Sequence, residues 1–157
     1  MNLSKNWFVH TRSGMGRILA IDYGVVRIGL ALSDPTGFLA QSLEVMKRIS
    51  DDVASERIAQ IAREREVSEL VVGLPLNMNG SEGEKAEICR SFAAKLEERT
   101  GLPVRLFDER LTTVAAQRSL IEQDVRRNKR KQVVDAVAAT VLLQTYLDFR
   151  NRPSREV

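Results

Sequence analysis

Apolar residues along this chain fall into runs whose spacing changes from segment to segment. Ile18-Leu-Ala-Ile21 is a continuous apolar run closed by Asp22; Gly24 follows, and Ile28-Gly-Leu-Ala-Leu32 resumes the pattern up to Ser33-Asp34. Runs this short, divided by a turn former, predict strand, tight turn, strand at about 17–22 and 26–33. Gly24 is expected to supply the positive φ of that turn, and Gly29 to let a neighbour approach its strand closely. Phe38 to Met46 predicts a third strand after the turn Asp34-Pro-Thr-Gly37. Links this short make the three an antiparallel meander.

The period then changes. Ser50, Asp51 and Asp52 supply a cap and first-turn acids for a helix over about 51–66, with Ala54, Ile58, Ile61 and Ala62 on one face. Leu70-Val-Val-Gly73 predicts a short buried strand, parallel to an earlier one because a helix leads to it. A loop of turn formers, Gly73 to Ser81, follows. Ser81 and Glu84 have capping-box spacing for a helix over about 82–99, on which Cys89, Phe92, Ala93 and Leu96 share a face. That places Cys89 as a packing residue. Gly101 and Pro103 end the helix, Val104 to Phe107 predicts a fifth strand, and Thr112 or Thr113 can cap a helix over about 113–123. A polar, basic loop at about 124–130 precedes a last helix at about 131–149, apolar around most of its circumference and so expected to be largely buried. The succession predicts an α/β domain with a mixed five-stranded sheet, three antiparallel strands then two parallel ones, flanked by helices.

Composition narrows the class. The 157 residues suit one domain, expected over 17–149, with a flexible polar leader at 1–16 and a basic tail at 150–157. Met15 stands just before the first strand, so the leader is an extension or lies upstream of an alternative start. No apolar run approaches a membrane span and no secretory signal precedes the first strand, which points to the cytoplasm and away from membranes. A single cysteine and a single histidine leave no basis for a zinc site or an internal disulfide, so a metal here would be a hard ion held by carboxylates. The net charge is +3, with a pI of about 9.3. Arg118, Arg126, Arg127, Lys129, Arg130 and Lys131 gather before the last helix, and Arg150, Arg152 and Arg155 at the tail. Such clusters are ordinarily solvated surface; beside carboxylates they form a phosphate-binding rim.

Three acids stand out. Asp22 ends the first strand, where a turn former is the plain alternative. Asp108-Glu109 follows the fifth strand, at the carboxyl edge where open α/β sheets place ligands. Asp135 stands inside the apolar last helix, in turns where the dipole favours an anion, with a pair to Lys131 as its plain alternative. If the first and fifth strands run parallel, all three converge at one edge and hold Mg²⁺ or Mn²⁺.

These residues resemble the YqgF/RuvX family of the ribonuclease H-like superfamily. The resemblance spans about 17–149 and is carried by Ala20-Ile-Asp22-Tyr-Gly24-Val-Val-Arg27-Ile-Gly29, Val72-Gly-Leu-Pro-Leu-Asn77-Met-Asn79-Gly-Ser81, Phe107-Asp-Glu109-Arg110-Leu-Thr112-Thr113 and Lys131-Gln-Val-Val-Asp135-Ala. Asn79 stands where the family has aspartate, which removes a carboxylate from that loop. The resemblance implies a ribonuclease H-like fold and a metal-dependent nuclease maturing the 5′ end of the 16S ribosomal RNA precursor. The alternative is a Holliday junction resolvase. Its acids map to Asp22, Glu109 and Asp135, with Asp108 next to be tested.

On this basis phosphodiester hydrolysis would use two metal ions about 4 Å apart, with Asp22 shared between them. Arg27 and Arg110 are the expected phosphate clamps, and Thr112, Thr113 and Asn77 hydrogen-bond the backbone. Each has a plainer role, as ion-pair member, helix cap or turn former. Aromatic content of 5% argues against base stacking, so recognition is expected to rest on backbone shape and charge; structured RNA as the partner, ahead of branched DNA, is what the resemblance implies. Ribosome-assembly or transcription partners are compatible with this. Two other classes are a nucleic-acid-binding module without hydrolysis, for which three carboxylates have no use, and an actin-like phosphotransferase, whose second phosphate loop this chain lacks.

Overall fold

Five strands form one mixed sheet in the order β3-β2-β1-β4-β5. The computed structural model describes residues 16–112 and 127–153, and of residues 127–134 only the backbone. The strands are β1 (Arg17–Asp22), β2 (Arg27–Ser33), β3 (Ala40–Lys47), β4 (Val67–Leu74) and β5 (Val104–Asp108). The helices are α1 (Asp51–Glu64), α2 (Glu84–Thr100) and α3 (Arg127–Arg150), with a 3₁₀ turn at Glu109–Leu111. The expected leader, up to residue 15, and the expected helix over 113–123 lie outside the described residues. So do the first residues of the basic loop and Arg155 of the tail.

β1 pairs antiparallel with β2 and parallel with β4, β2 pairs antiparallel with β3, and β4 pairs parallel with β5. β1, β4 and β5 therefore run the same way, and Asp22 and Asp108-Glu109 leave the sheet at one edge. This is the condition on which the site depends.

The continuous apolar run of β1 follows from burial on both faces. Leu19 and Ile21 join Ile28, Leu30, Leu70 and Val72 under α1 and α2, which contribute Ile58, Ile61, Phe92 and Leu96. Ile18 and Ala20 join Ala31 and Val71 on the opposite face, against Ala139, Leu142, Leu143 and Leu147 of α3. Fully burying each such large side chain contributes about 1.5–3 kcal/mol.

Four expectations are corrected. β4 starts three residues earlier than the apolar run, because Glu69 is accommodated by the Tyr146 hydroxyl and by Arg105 at 3.6 Å and Arg150 at 3.7 Å. α2 is capped by Gly83 without a side-chain hydrogen bond, so Ser81 and Glu84 form no capping box. α3 already includes 127–130, assigned above to a loop; arginine and lysine are good helix formers without apolar periodicity. Finally, α3 buries a stripe on the sheet, while Val137 and Val141 are only half-buried, so it is less enclosed than its composition implied.

Candidate active site

Side chains two apart on a strand share a face. Asp22 therefore lies on the face of Ile18 and Ala20, the one α3 covers, and is only 5% exposed. Its register partner on β2 is Gly29. A Cβ on Gly29 would stand 2.3 Å from the Asp135 carbonyl oxygen, so the glycine lets the backbone of α3 lie directly against β2. The close approach expected at Gly29 is thus to the very turn that carries Asp135.

Gly73 does the same for Glu109. A Cβ there would stand 2.6 Å from Glu109 Oε1, so the carboxylate reaches back over β4 through the space the glycine leaves. The 3₁₀ turn aims it. Asp108 caps that turn by accepting from the Arg110 N–H at 2.9 Å. Thr112 closes it, its N–H and hydroxyl donating to the Glu109 carbonyl at 3.0 and 2.8 Å. Asp22 and Glu109 consequently line one cleft of about 320 Å³, together with Tyr23, Gly24, Pro75, Lys85 and Cys89.

Asp135 is held differently. Its Oδ2 accepts from Arg27 Nε at 3.1 Å, with the two side chains 21% and 26% exposed. α3 begins at Arg127, so Asp135 sits about two turns in, beyond the reach of the helix dipole invoked for it. The side chain of Lys131 is outside the described residues. Among the described residues, no three of Asp, Glu, His and Cys are placed to hold a metal ion together. The structure brings Asp22 and Glu109 to one cleft and turns Asp135 to Arg27.

The other expected contacts are engaged within the chain. Arg110 grips Asp108, Nη2 to Oδ2 at 2.7 Å and Nε to Oδ1 at 3.1 Å, and its Nη1 donates to the Met78 carbonyl at 3.3 Å. That hydrogen-bonded ion pair holds the Asp108 carboxyl below the usual range and raises the guanidinium further. Asn77 closes its loop, its Nδ2 donating to Ser81 Oγ at 2.9 Å and its N–H to the Ser81 carbonyl at 2.9 Å. Gly24 is not among the positive-φ glycines; the turn instead closes so tightly that a Cβ would stand 2.4 Å from the Arg27 carbonyl oxygen.

Two residues of the cleft were missed from the sequence. Lys85 is its one cation among the lining residues, on the exposed first turn of α2 and without an ion-pair partner among the described residues. The signal was present, since a lysine in a first turn opposes the helix dipole. Tyr23 fixes the backbone just after Asp22. Its hydroxyl donates to Asp51 Oδ1 at 2.6 Å, Arg48 Nε donates to the same oxygen at 2.8 Å, and its ring packs on Phe92 with centroids 4.6 Å apart. Nothing local in the sequence marks that contact. Cys89 behaves as expected of a packing residue: burial, helped by the Glu109 and Asp22 carboxylates, pushes its thiol up to about 12.

A pair of carboxylates in a cleft fits a hard divalent cation. Mg²⁺ is commonly held by one or two protein carboxylates, its remaining positions going to water and substrate phosphate.

Comparison with known proteins agrees with this architecture. The RuvX family model, described as Holliday junction resolvase, matches residues 16–149. A protein of Moorella thermoacetica named "Putative pre-16S rRNA nuclease" is 53% identical over 134 residues, 84% of this chain and 94% of the relative. One of the same name from Streptococcus gordonii is 49% identical over 135 residues, 84% of this chain and 97% of the relative. Among solved structures, RuvC of Thermus thermophilus in complex with a Holliday junction substrate aligns with a TM-score of 0.56 at 14% identity, covering 87% of this chain and 97% of RuvC. The fowlpox virus resolvase in complex with Holliday junction DNA aligns with a TM-score of 0.52 at 11% identity, covering 87% of this chain and 99% of the resolvase. At such identities the likeness is one of fold, and that fold is ribonuclease H-like.

Proposed function

The chain belongs to the RuvX family, and on that premise we propose that it is a metal-dependent nuclease acting at the 5′ end of the 16S ribosomal RNA precursor. The observation that carries this is the meeting of Asp22 and Glu109, from strand ends far apart in sequence, in one cleft that also holds a lysine. A protein that only bound phosphate would gain nothing from two carboxylates there.

Asp22 and Glu109 would hold Mg²⁺ or Mn²⁺, with Asp135 the third acid of the site. Such an ion lowers the pKa of a bound water and stabilises charge on the phosphate and the leaving oxygen. The chain's own part is placement. β1 and the Tyr23–Asp51–Arg48 contacts fix Asp22, and the 3₁₀ turn with Gly73 fixes Glu109. Lys85 and Arg27 supply positive charge for the phosphodiester. Arg110, gripped by Asp108, still has N–H donors to offer at the rim. Asn77 and Thr112 shape that rim through the loop and turn they close, where it meets the sugar-phosphate backbone.

The names of the close relatives support RNA as substrate. A second reading, resolution of a four-way DNA junction, is favoured by the description of the family itself. Both substrates present phosphate backbones to the same chemistry, and both place the protein where nucleic acid is processed, in the cytoplasm. The deciding experiment offers end-labelled precursor RNA and a four-way DNA junction in parallel, with Mn²⁺ and with chelator. Metal-dependent cleavage of the RNA at one site, with the junction intact, is expected. Symmetric cutting of the junction with the RNA intact overturns the assignment in favour of the resolvase.

A further inference from the structure

The Arg27–Asp135 pair stands beside the carboxylate cleft, and we propose that it is a latch: Arg27 holds Asp135 out of the metal site until a phosphate of the nucleic acid draws the guanidinium away. The latch rests on the nuclease reading above and assigns its regulation.

Placement comes first. Arg27 and Gly29 are two apart on β2 and share a face, and Gly29 is the register partner of Asp22. The Asp135 carbonyl lies against Gly29. The backbone of Asp135 is therefore fixed one strand away from Asp22, while its carboxylate is turned to Arg27, 108 positions away in sequence. Two carboxylates already occupy the cleft, and without a cation a third would be repelled by them. Arg27 offers the alternative.

The pair is also built to exchange. Both side chains are partly open to solvent, 26% and 21%, and an ion pair so placed shifts an equilibrium by only a few-fold. Only Nε of Arg27 is engaged among the described residues, which leaves both Nη groups to fork an incoming phosphate. Phosphate on Arg27 and metal on Asp135 are then mutually reinforcing: each removes the other's competitor. A site of this kind assembles fully only on its substrate.

The test is a double-mutant cycle with two readouts, neither of them cleavage. Mn²⁺ binding without nucleic acid is measured by calorimetry for wild type, Arg27→Gln, Asp135→Asn and the double variant. Arg27→Gln should bind Mn²⁺ about three- to fivefold more tightly. Asp135→Asn should leave the wild-type affinity within about twofold yet abolish the gain in the Arg27→Gln background. A gain that persists in the double variant means that Arg27 acts only through its charge, and overturns the latch; so does the absence of any gain.

Binding of a fluorescently labelled RNA duplex in EDTA supplies the second readout. Asp135→Asn should tighten it by releasing Arg27, Arg27→Gln should weaken it, and the tightening should vanish in the double variant. Equal tightening in both backgrounds overturns the latch. A purely structural pair would lower the melting temperature of both variants and move neither affinity, which also overturns it. Should Arg27→Gln fail to fold, Arg27→Met takes its place in both cycles. If wild type and Asp22→Asn bind Mn²⁺ equally, the metal site itself is wrong, and that outcome is distinct from a failed latch.

Discussion

Single residues carry the site through what they lack as much as through what they hold. Gly73 leaves the space that the Glu109 carboxylate occupies, and Gly29 leaves the space for the Asp135 carbonyl. The two differ in what must give way. Gly73→Ala meets the end of a flexible side chain, so its expected effect is a displaced Glu109, with cleavage falling more than stability. Gly29→Ala meets backbone, and overpacking of that kind destabilises by about 1–3 kcal/mol. Urea denaturation beside a cleavage assay separates the two cases, and a Gly29→Ala protein as stable as wild type would contradict the packing described here. Lys85→Ala should weaken RNA binding and reduce the salt slope of log K by about one contact's worth. Cys89, its thiol raised to about 12, should resist iodoacetamide at pH 8 in the folded protein and react in denaturant. Asp22 was legible as a candidate from its place at the end of an apolar run and the Asp108-Glu109 pair from its place after another, with Glu109 singled out by the family resemblance. The partner of Asp135 was not: no local pattern in a sequence reports a contact between residues 108 apart.

Elements were legible wherever apolar periodicity carried them. The five strands, the meander of the first three and the helices α1 and α2 follow from runs and spacings, because burial on one or both faces dictates those patterns. The sheet order was not legible, since runs and spacings do not say which earlier strand β4 lies beside. The start of α3 was not, since the basic residues that open it have no apolar period to show. The β2–β3 turn is held by polar atoms. Asp34 accepts from the Phe38 and Leu39 N–H groups at 2.9 and 3.0 Å and from the Thr36 hydroxyl. Those bonds, that to the Leu39 amide foremost, lower its carboxyl from 3.8 to about 2. A carboxyl depressed by folding contributes to the folded turn above its ordinary pKa and loses that contribution as pH falls through its lowered one. The Phe38 and Leu39 amide resonances should therefore hold their native positions at pH 4 and move as pH drops toward 2. Unchanged resonances down to pH 2 would remove Asp34 as the turn's anchor.

At the scale of the whole molecule, a sheet buried on both faces delivers two acids to one edge and lays a third alongside on α3. Basic composition, with a pI of about 9.3, suits a protein that meets a polyanion. The central claim is that Asp22 and Glu109 hold the ion on which hydrolysis depends. Losing the several kcal/mol of transition-state stabilisation a metal supplies, at 1.36 kcal/mol per decade, corresponds to about 10³-fold or more in rate. The most direct test is the single-turnover rate of precursor RNA cleavage across a Mn²⁺ titration, for wild type and for Asp22→Asn with its fold verified by circular dichroism. The account predicts a wild-type rate that rises with Mn²⁺ and a variant about 10³-fold slower at every concentration. An Asp22→Asn protein that cleaves at the wild-type rate would contradict it.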